Sequence, residues 1–163
     1  MKTNEIKVRF IESVDNQAIA SIVRSSLLDF GAAKPGTAYF DEATDDMYNL
    51  YQNPKNGYWV AEQNGQVLGG AGLLSNDDLP LDTVELSRLY LCAAARGKGI
   101  GKALLQHCCD KAKEFGFARI YLETMPELSI AVPLYERLGF QYLDKPLGCS
   151  GHFGCNIWMA KQL

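Results

Sequence analysis

The chain has 163 residues, 47% of them hydrophobic, enough to bury one core and fewer than two domains usually need, so a single domain over residues 1–163 is expected. A formal net charge of −3 argues against a nucleic-acid partner, because phosphate backbones call for a basic face and a basic balance. No apolar run is long enough to cross a bilayer, and Met1–Glu5 leads into a strand pattern without the apolar core of a secretion signal, so a cytoplasmic protein without membrane contact is expected.

Ile6, Val8 and Phe10 alternate with polar residues as an opening strand. Asp15 then stands where it can cap a helix whose Ile19, Ile22, Val23, Leu27 and Phe30 form one apolar stripe, ended by Gly31. Residues 32–44 are rich in turn formers, and a short helix is expected around Asp45–Gln52 before the breaker at 53–57. Tyr58–Gln63 and Gln66–Leu74 read as strands joined by Asn64-Gly65, a pair that tolerates positive φ and marks a hairpin. After a polar loop, Val84–Leu91 resumes strand character. Strict alternation puts Glu85, Ser87, Leu89 and Leu91 on one face and Val84, Leu86, Arg88 and Tyr90 on the other, so Glu85 and Arg88 should not meet.

Ile100, Ala103, Leu104, Cys108, Ala112 and Phe115 give a helical stripe stopped by Gly116, and Arg119–Glu123 returns as a strand. Strand, helix and strand at this length form a βαβ unit with a parallel pair. Ser129 can cap the next helix, which carries Pro133 in its first turn, runs through Tyr135–Leu138 and stops at Gly139. Phe140–Leu143 and Phe153–Lys161 close the sheet.

The junction between the strand at 84–91 and the helix at Ile100 reads Arg96-Gly97-Lys98-Gly99-Ile100-Gly101. Glycines let the main chain approach an anion, N–H groups converge at a helix start, and Arg96, Lys98 and Lys102 add positive charge, so a pyrophosphate is the expected ligand. It is not a Walker loop, since Arg96 stands where that loop needs glycine and Ala103 where it needs a hydroxyl. Nor is it a dinucleotide fingerprint, because the glycines run G-x-G-x-G and lie past the middle of the chain.

Arg96, Gly99 and Gly101 match the pattern Arg/Gln-x-x-Gly-x-Gly/Ala. With Glu85-Leu86-Ser87-Arg88-Leu89-Tyr90-Leu91 ahead of it and Leu134-Tyr135-Glu136-Arg137-Leu138-Gly139-Phe140 behind, the chain resembles the GCN5-related N-acetyltransferase (GNAT) family over roughly residues 84–140. The resemblance implies an α/β fold with a mixed, mostly antiparallel central sheet of about seven strands, a splayed parallel pair in strands 4 and 5, and about four helices. It implies acetyl-coenzyme A as co-substrate, with its pyrophosphate on Arg96, Gly97, Lys98, Gly99, Ile100, Gly101 and Lys102 and its acyl arm on the main chain of Leu89 and Leu91. Many members carry an asparagine ahead of the tyrosine helix that touches the cofactor; Ser129 is the candidate replacement here.

The implied reaction is direct acetyl transfer to an amine, with a small molecule as the expected acceptor and a homodimer left open. Acetylation of a protein or peptide amine is one alternative, and a non-catalytic acyl-coenzyme A sensor or interaction module is another. Tyr135 is the candidate acid for the departing thiolate, against a role in packing alone. Glu85 is the candidate base, against pairing with a basic neighbour or simple substrate contact. Asp41 and Asp46, with Tyr39 and Phe40, could wall an amine site and favour a cationic acceptor. His152 is either structural or a substrate contact, and His107 is read as a surface residue. The odd number of cysteines fits reduced thiols, and Cys92 lacks an evident activating base. Cys149, His152 and Cys155 lack a fourth ligand, so no metal is expected.

Overall fold

A computed structural model describes residues 4–163; Met1, Lys2 and Thr3, where the leader reading begins, lie outside them. A seven-stranded sheet runs in the order β1 (Lys7–Phe10), β2 (Gly57–Gln63), β3 (Gln66–Leu74), β4 (Thr83–Leu91), β5 (Arg119–Thr124), β7 (Ile157–Gln162) and β6 (Gln141–Leu143). Among the described residues only β4 and β5 pair in parallel; every other neighbour is antiparallel. Four α-helices, α1 (Asn16–Asp29), α2 (Met47–Leu50), α3 (Ile100–Glu114) and α4 (Ala131–Arg137), complete the mixed fold expected from the resemblance. Among the described residues, no helix is long and apolar enough to cross a membrane.

The central strands are buried on both sides, which explains their nearly continuous apolar runs. Tyr58 and Val60 join Ile19, Val23, Leu27, Met47 and Tyr51 in a core under α1 and α2. Trp59 and Ala61 point to the other core, where they meet Leu104, Leu105, Cys108, Ile120 and Leu122. The β2–β3 hairpin turns on Asn64 and Gly65, at φ 53° and 80°, as the dipeptide predicts.

Several local expectations change. Asp15 stands at the N-cap of α1, but its side chain makes no capping bond to that helix: it ends a short 3-10 turn, and its carboxylate accepts from the Glu12 N–H and from Arg9, which also reaches Glu62. Ala103 is exposed, and Leu105 and Cys109 take its place in the buried face of α3. His107 is half buried, its ring edge-on to Trp59 at 5.2 Å, so the surface reading fails. Ser129 is exposed and does not cap α4, whose N-cap is Ile130 with no side-chain bond. The last strand begins at Ile157, because residues 153–156 turn before joining the sheet.

The largest departure lies in β4. Opposite Gly72 stands Ser87 and opposite Gly70 stands Tyr90, so one extra residue is accommodated between them, and Arg88 sits in the left-handed region at φ 53°. The alternation therefore slips: Glu85, Ser87, Arg88 and Tyr90 serve the α1 side, while Val84, Leu86, Leu89 and Leu91 serve the α3 side. The Tyr58 hydroxyl donates to the Arg88 carbonyl at 2.8 Å, and Tyr51 and Ser87 share a hydroxyl bond at 2.5 Å, which pins the bulge. These two tyrosine rings lie against Gly72, where an added Cβ would sit 2.6 Å from both. Gly72→Val should therefore cost about 1–3 kcal/mol through overpacking and lower the melting temperature by roughly 2–10 °C, read by thermal unfolding.

Candidate functional site

β4 and β5 stay paired only at Thr83–Arg119, Val84–Ile120 and Glu85–Tyr121. Beyond Glu85 they part, so the rest of β4 has no partner strand on that side among the described residues. Two cavities open beside this free stretch. A groove of ≈ 380 Å³ runs from Leu89 and Leu91 to the glycine loop, between α1 and α4. A smaller chamber of ≈ 40 Å³ is bordered by Glu85, Arg88, Glu123, Thr124, Tyr135 and His152. Leu89, Tyr90 and Leu128 border both, so the two spaces adjoin there.

At the far end of the groove, Gly97 and Gly99 have φ 75° and 79°, and Gly99 is the N-cap of α3. The first main-chain bond of that helix is Ala103 N–H to Gly99 O; among the described residues, no N–H from Gly97 to Lys102 donates to a protein acceptor. A Cβ at Gly97 or Gly99 would meet nothing within 4 Å, so the space above the loop is open. Free amides at the positive end of a 15-residue helix, beneath open space, fit a diphosphate.

The cations are divided. Lys102 and Arg137 border the groove, whereas Lys98 is exposed outside its lining. The Arg96 guanidinium lies over the Phe30 ring at 4.7 Å and donates to Asp29 and Ser26, both at 3.2 Å. Ser26 in turn donates to the Leu91 carbonyl at 2.9 Å, tying α1 to β4 and to the loop. Arg96 thus braces the groove wall more than it projects a free charge. Ser129 stands outside the groove, which is bordered instead by its neighbours Leu128 and Ile130.

In the chamber, Tyr135 is buried, its ring 5.7 Å from Phe140, and its hydroxyl bonds no protein group among the described residues. Burial pushes its phenol upward, as it does that of Tyr90. Glu85 is 6% exposed and makes no hydrogen bond among the described residues. Burial, then the charge of Glu123, pushes its carboxyl up to about 8, with Arg88 in partial opposition. Arg88 and Glu85 therefore share a face after all.

Asp41 accepts from Arg88 at 2.6 Å and bonds His152 at 2.8 Å, so the sequence-distant Asp41, Arg88 and His152 form one cluster. Burial works against the Asp41 carboxylate, but His152, the Ala43 N–H and Arg88 hold it below its ordinary range. Asp45 is engaged by Arg24, and Asp46 by Asn16 and Asn49. The acids expected to wall a cationic site are thus already partnered. Cys92 borders neither cavity and packs on the α3-side core. Ser26 and Glu123 were missed by sequence reasoning; Ser26 is hidden in a helical stripe, and Glu123 carried a signal only as a charge at the end of a parallel strand.

Because the folded chain holds the Glu85 proton more tightly than the unfolded one, that contribution is present below the ordinary carboxylate value of 4.5 and is lost as pH rises to about 8. Glu85→Gln, which cannot ionise, should gain several degrees of melting temperature relative to the parent between pH 5 and pH 8; parallel melting curves across that window would exclude the ionisation argument.

A model of the acetyltransferase (GNAT) family matches residues 21–140. Over 150 residues the chain is 40% identical to the uncharacterized N-acetyltransferase YjgM of Escherichia coli (strain K12), covering 91% of this chain and 90% of that protein. N-acetyltransferase 8 of Homo sapiens is 31% identical over 138 residues, covering 80% of this chain and 61% of the human protein, so the chain spans less than two thirds of that relative. The structure of yncA from Salmonella typhimurium, solved with its cofactor acetyl-CoA, is similar with a TM-score of 0.75 at 26% identity, covering 98% of this chain and 94% of that one.

Proposed function

Since the chain belongs to the acetyltransferase (GNAT) family, we propose that it passes acetyl from acetyl-coenzyme A directly to the amine of a small molecule where groove and chamber adjoin beside Leu89. That shared border carries the reading: a long groove with a free-amide cradle at one end opens, at the other, beside a small chamber lined by titratable side chains. Acetyl-coenzyme A supplies the activated acetyl group as a thioester. A single acetyltransferase domain in the cytoplasm is the setting we infer.

Gly97, Gly99, Ile100, Gly101 and Lys102 hold the diphosphate through main-chain N–H groups, with Lys98 and Arg96 adding field, and Ser129 contributes at most from the rim. Main-chain groups of Leu89 and Leu91 bond the acyl arm, and the Leu89 N–H polarises the carbonyl. Glu85 takes a proton from the amine as the new C–N bond forms. Tyr135 gives its proton to the thiolate as the C–S bond breaks, and its phenol, kept protonated by burial, is restored from solvent. A compact chamber supports a small acceptor over a folded protein surface.

Calorimetry with acetyl-coenzyme A, followed by thiol release across a panel of amines, tests the reading. Gly99→Val, which meets no neighbour but strains the left-handed backbone, should weaken acetyl-coenzyme A about tenfold or more. Tyr135→Phe should leave that affinity unchanged and lower kcat by about 10²-fold or more. Tight binding with no thiol released on any amine would instead support a sensor.

A further inference from the structure

Glu123, at the end of β5, borders the chamber alongside Glu85 from β4. The last rung joining these strands pairs Glu85 with Tyr121, so Glu123 comes from the stretch just past the point where they part. Both carboxylate oxygens already act as acceptors: the Tyr121 hydroxyl donates to one at 2.6 Å, and the Ser150 hydroxyl, from the connection between β6 and β7, donates to the other. A carboxylate oxygen has two acceptor sites, so each retains one for a ligand.

Opposite it, Glu85 is more than nine-tenths buried and has no hydrogen-bond partner among the described residues. Arg88 Nε and Thr124 Oγ1, also buried and unpartnered, belong to residues bordering the same space. Arg88 is paired with Asp41 and offsets Glu85 only in part, and among the described residues no cation is bonded to Glu85 or Glu123. Two carboxyl groups on one small cavity repel each other unless a cation or a proton stands between them.

We propose that Glu123 selects the acceptor: it captures the substrate amine as a primary ammonium ion and holds it against Glu85, so that cationic amines are taken and uncharged isosteres refused. This rests on the acetyl transfer proposed above. The division of labour follows from environment. The carboxylate anchored by Tyr121 and Ser150 is held in place as an acceptor, while the unanchored, desolvated one is free to exchange a proton. Arrival of R–NH₃⁺ favours the ionised form of Glu85, which takes one N–H proton and leaves R–NH₂ hydrogen-bonded to Glu123 with its lone pair free. Glu85 passes that proton to solvent before attack, takes the second N–H proton as the C–N bond forms, and sheds it to solvent after product leaves.

Thiol release from acetyl-coenzyme A with a panel of primary amines is measured for the parent, Glu123→Gln and Glu123→Asp. On the amine used fastest, Glu123→Gln should raise the amine KM about 30-fold or more, as losing one partner of a desolvated charge pair does, with kcat changed less and acetyl-coenzyme A affinity unchanged. Glu123→Asp, which keeps the charge, should fall between the two. A second readout needs no variant: n-butylamine should compete with that amine on the parent enzyme, and n-butanol should not. An unaltered KM in Glu123→Gln, or equal competition by the alcohol, overturns this proposal alone. Release with no amine by the parent overturns acetyl transfer and this proposal together.

Discussion

Two parallel strands that pair for three rungs and then separate are the constraint on which the rest of the molecule depends. A main-chain group without a partner has to be met by water, a side chain or a ligand, and leaving it dry is costly. Here the parting of β4 from β5 opens the interior on both sides of one residue, Leu89. The groove follows the free strand toward α3, and the chamber fills the space between the two strands beyond their last rung. The sheet, which elsewhere closes the core, becomes at this point the wall of a passage.

The passage is electrostatically divided along its length. At the α3 end, unbonded amides and the helix dipole present positive potential, supplemented by exposed lysine and arginine side chains. At the other end, the buried Glu85 and the half-buried Glu123 face a small volume. The arginines closest to the passage are largely spent on the protein itself: Arg96 on Asp29 and the Phe30 ring, Arg88 on Asp41. Their work is to fix walls. Ser26 shows the same economy, with one hydroxyl joined to both the Leu91 carbonyl and Arg96.

What could be read from the residues alone follows local rules. Asn64-Gly65 demanded a tight hairpin because both residues tolerate positive φ, and the glycine run followed by an apolar stripe demanded a helix start near Ile100, where α3 begins. The parallel pair followed from strand, helix and strand. What was misread depends on residues far away in the chain. Arg88 changes face because Tyr51 and Tyr58 pack on a glycine strip and hold the bulge, and no period-two pattern anticipates that. Asp15 keeps the N-cap position of α1 while its carboxylate is drawn to Arg9, and His107 is drawn inward by Trp59. Glu123 acquires its surroundings from Ser150, a loop residue 27 positions away, and Asp41 meets His152 across 111. Loops that converge on a site carry no periodicity to betray their meeting.

The cradle at Gly97–Lys102 is made of peptide dipoles, and a peptide N–H neither gains nor sheds a proton in the range where proteins survive. The chamber is made of groups that do. One end of the passage is therefore indifferent to acidity while the other responds to it, so a drift in pH would redraw the charge of the chamber and leave that of the cradle as it was.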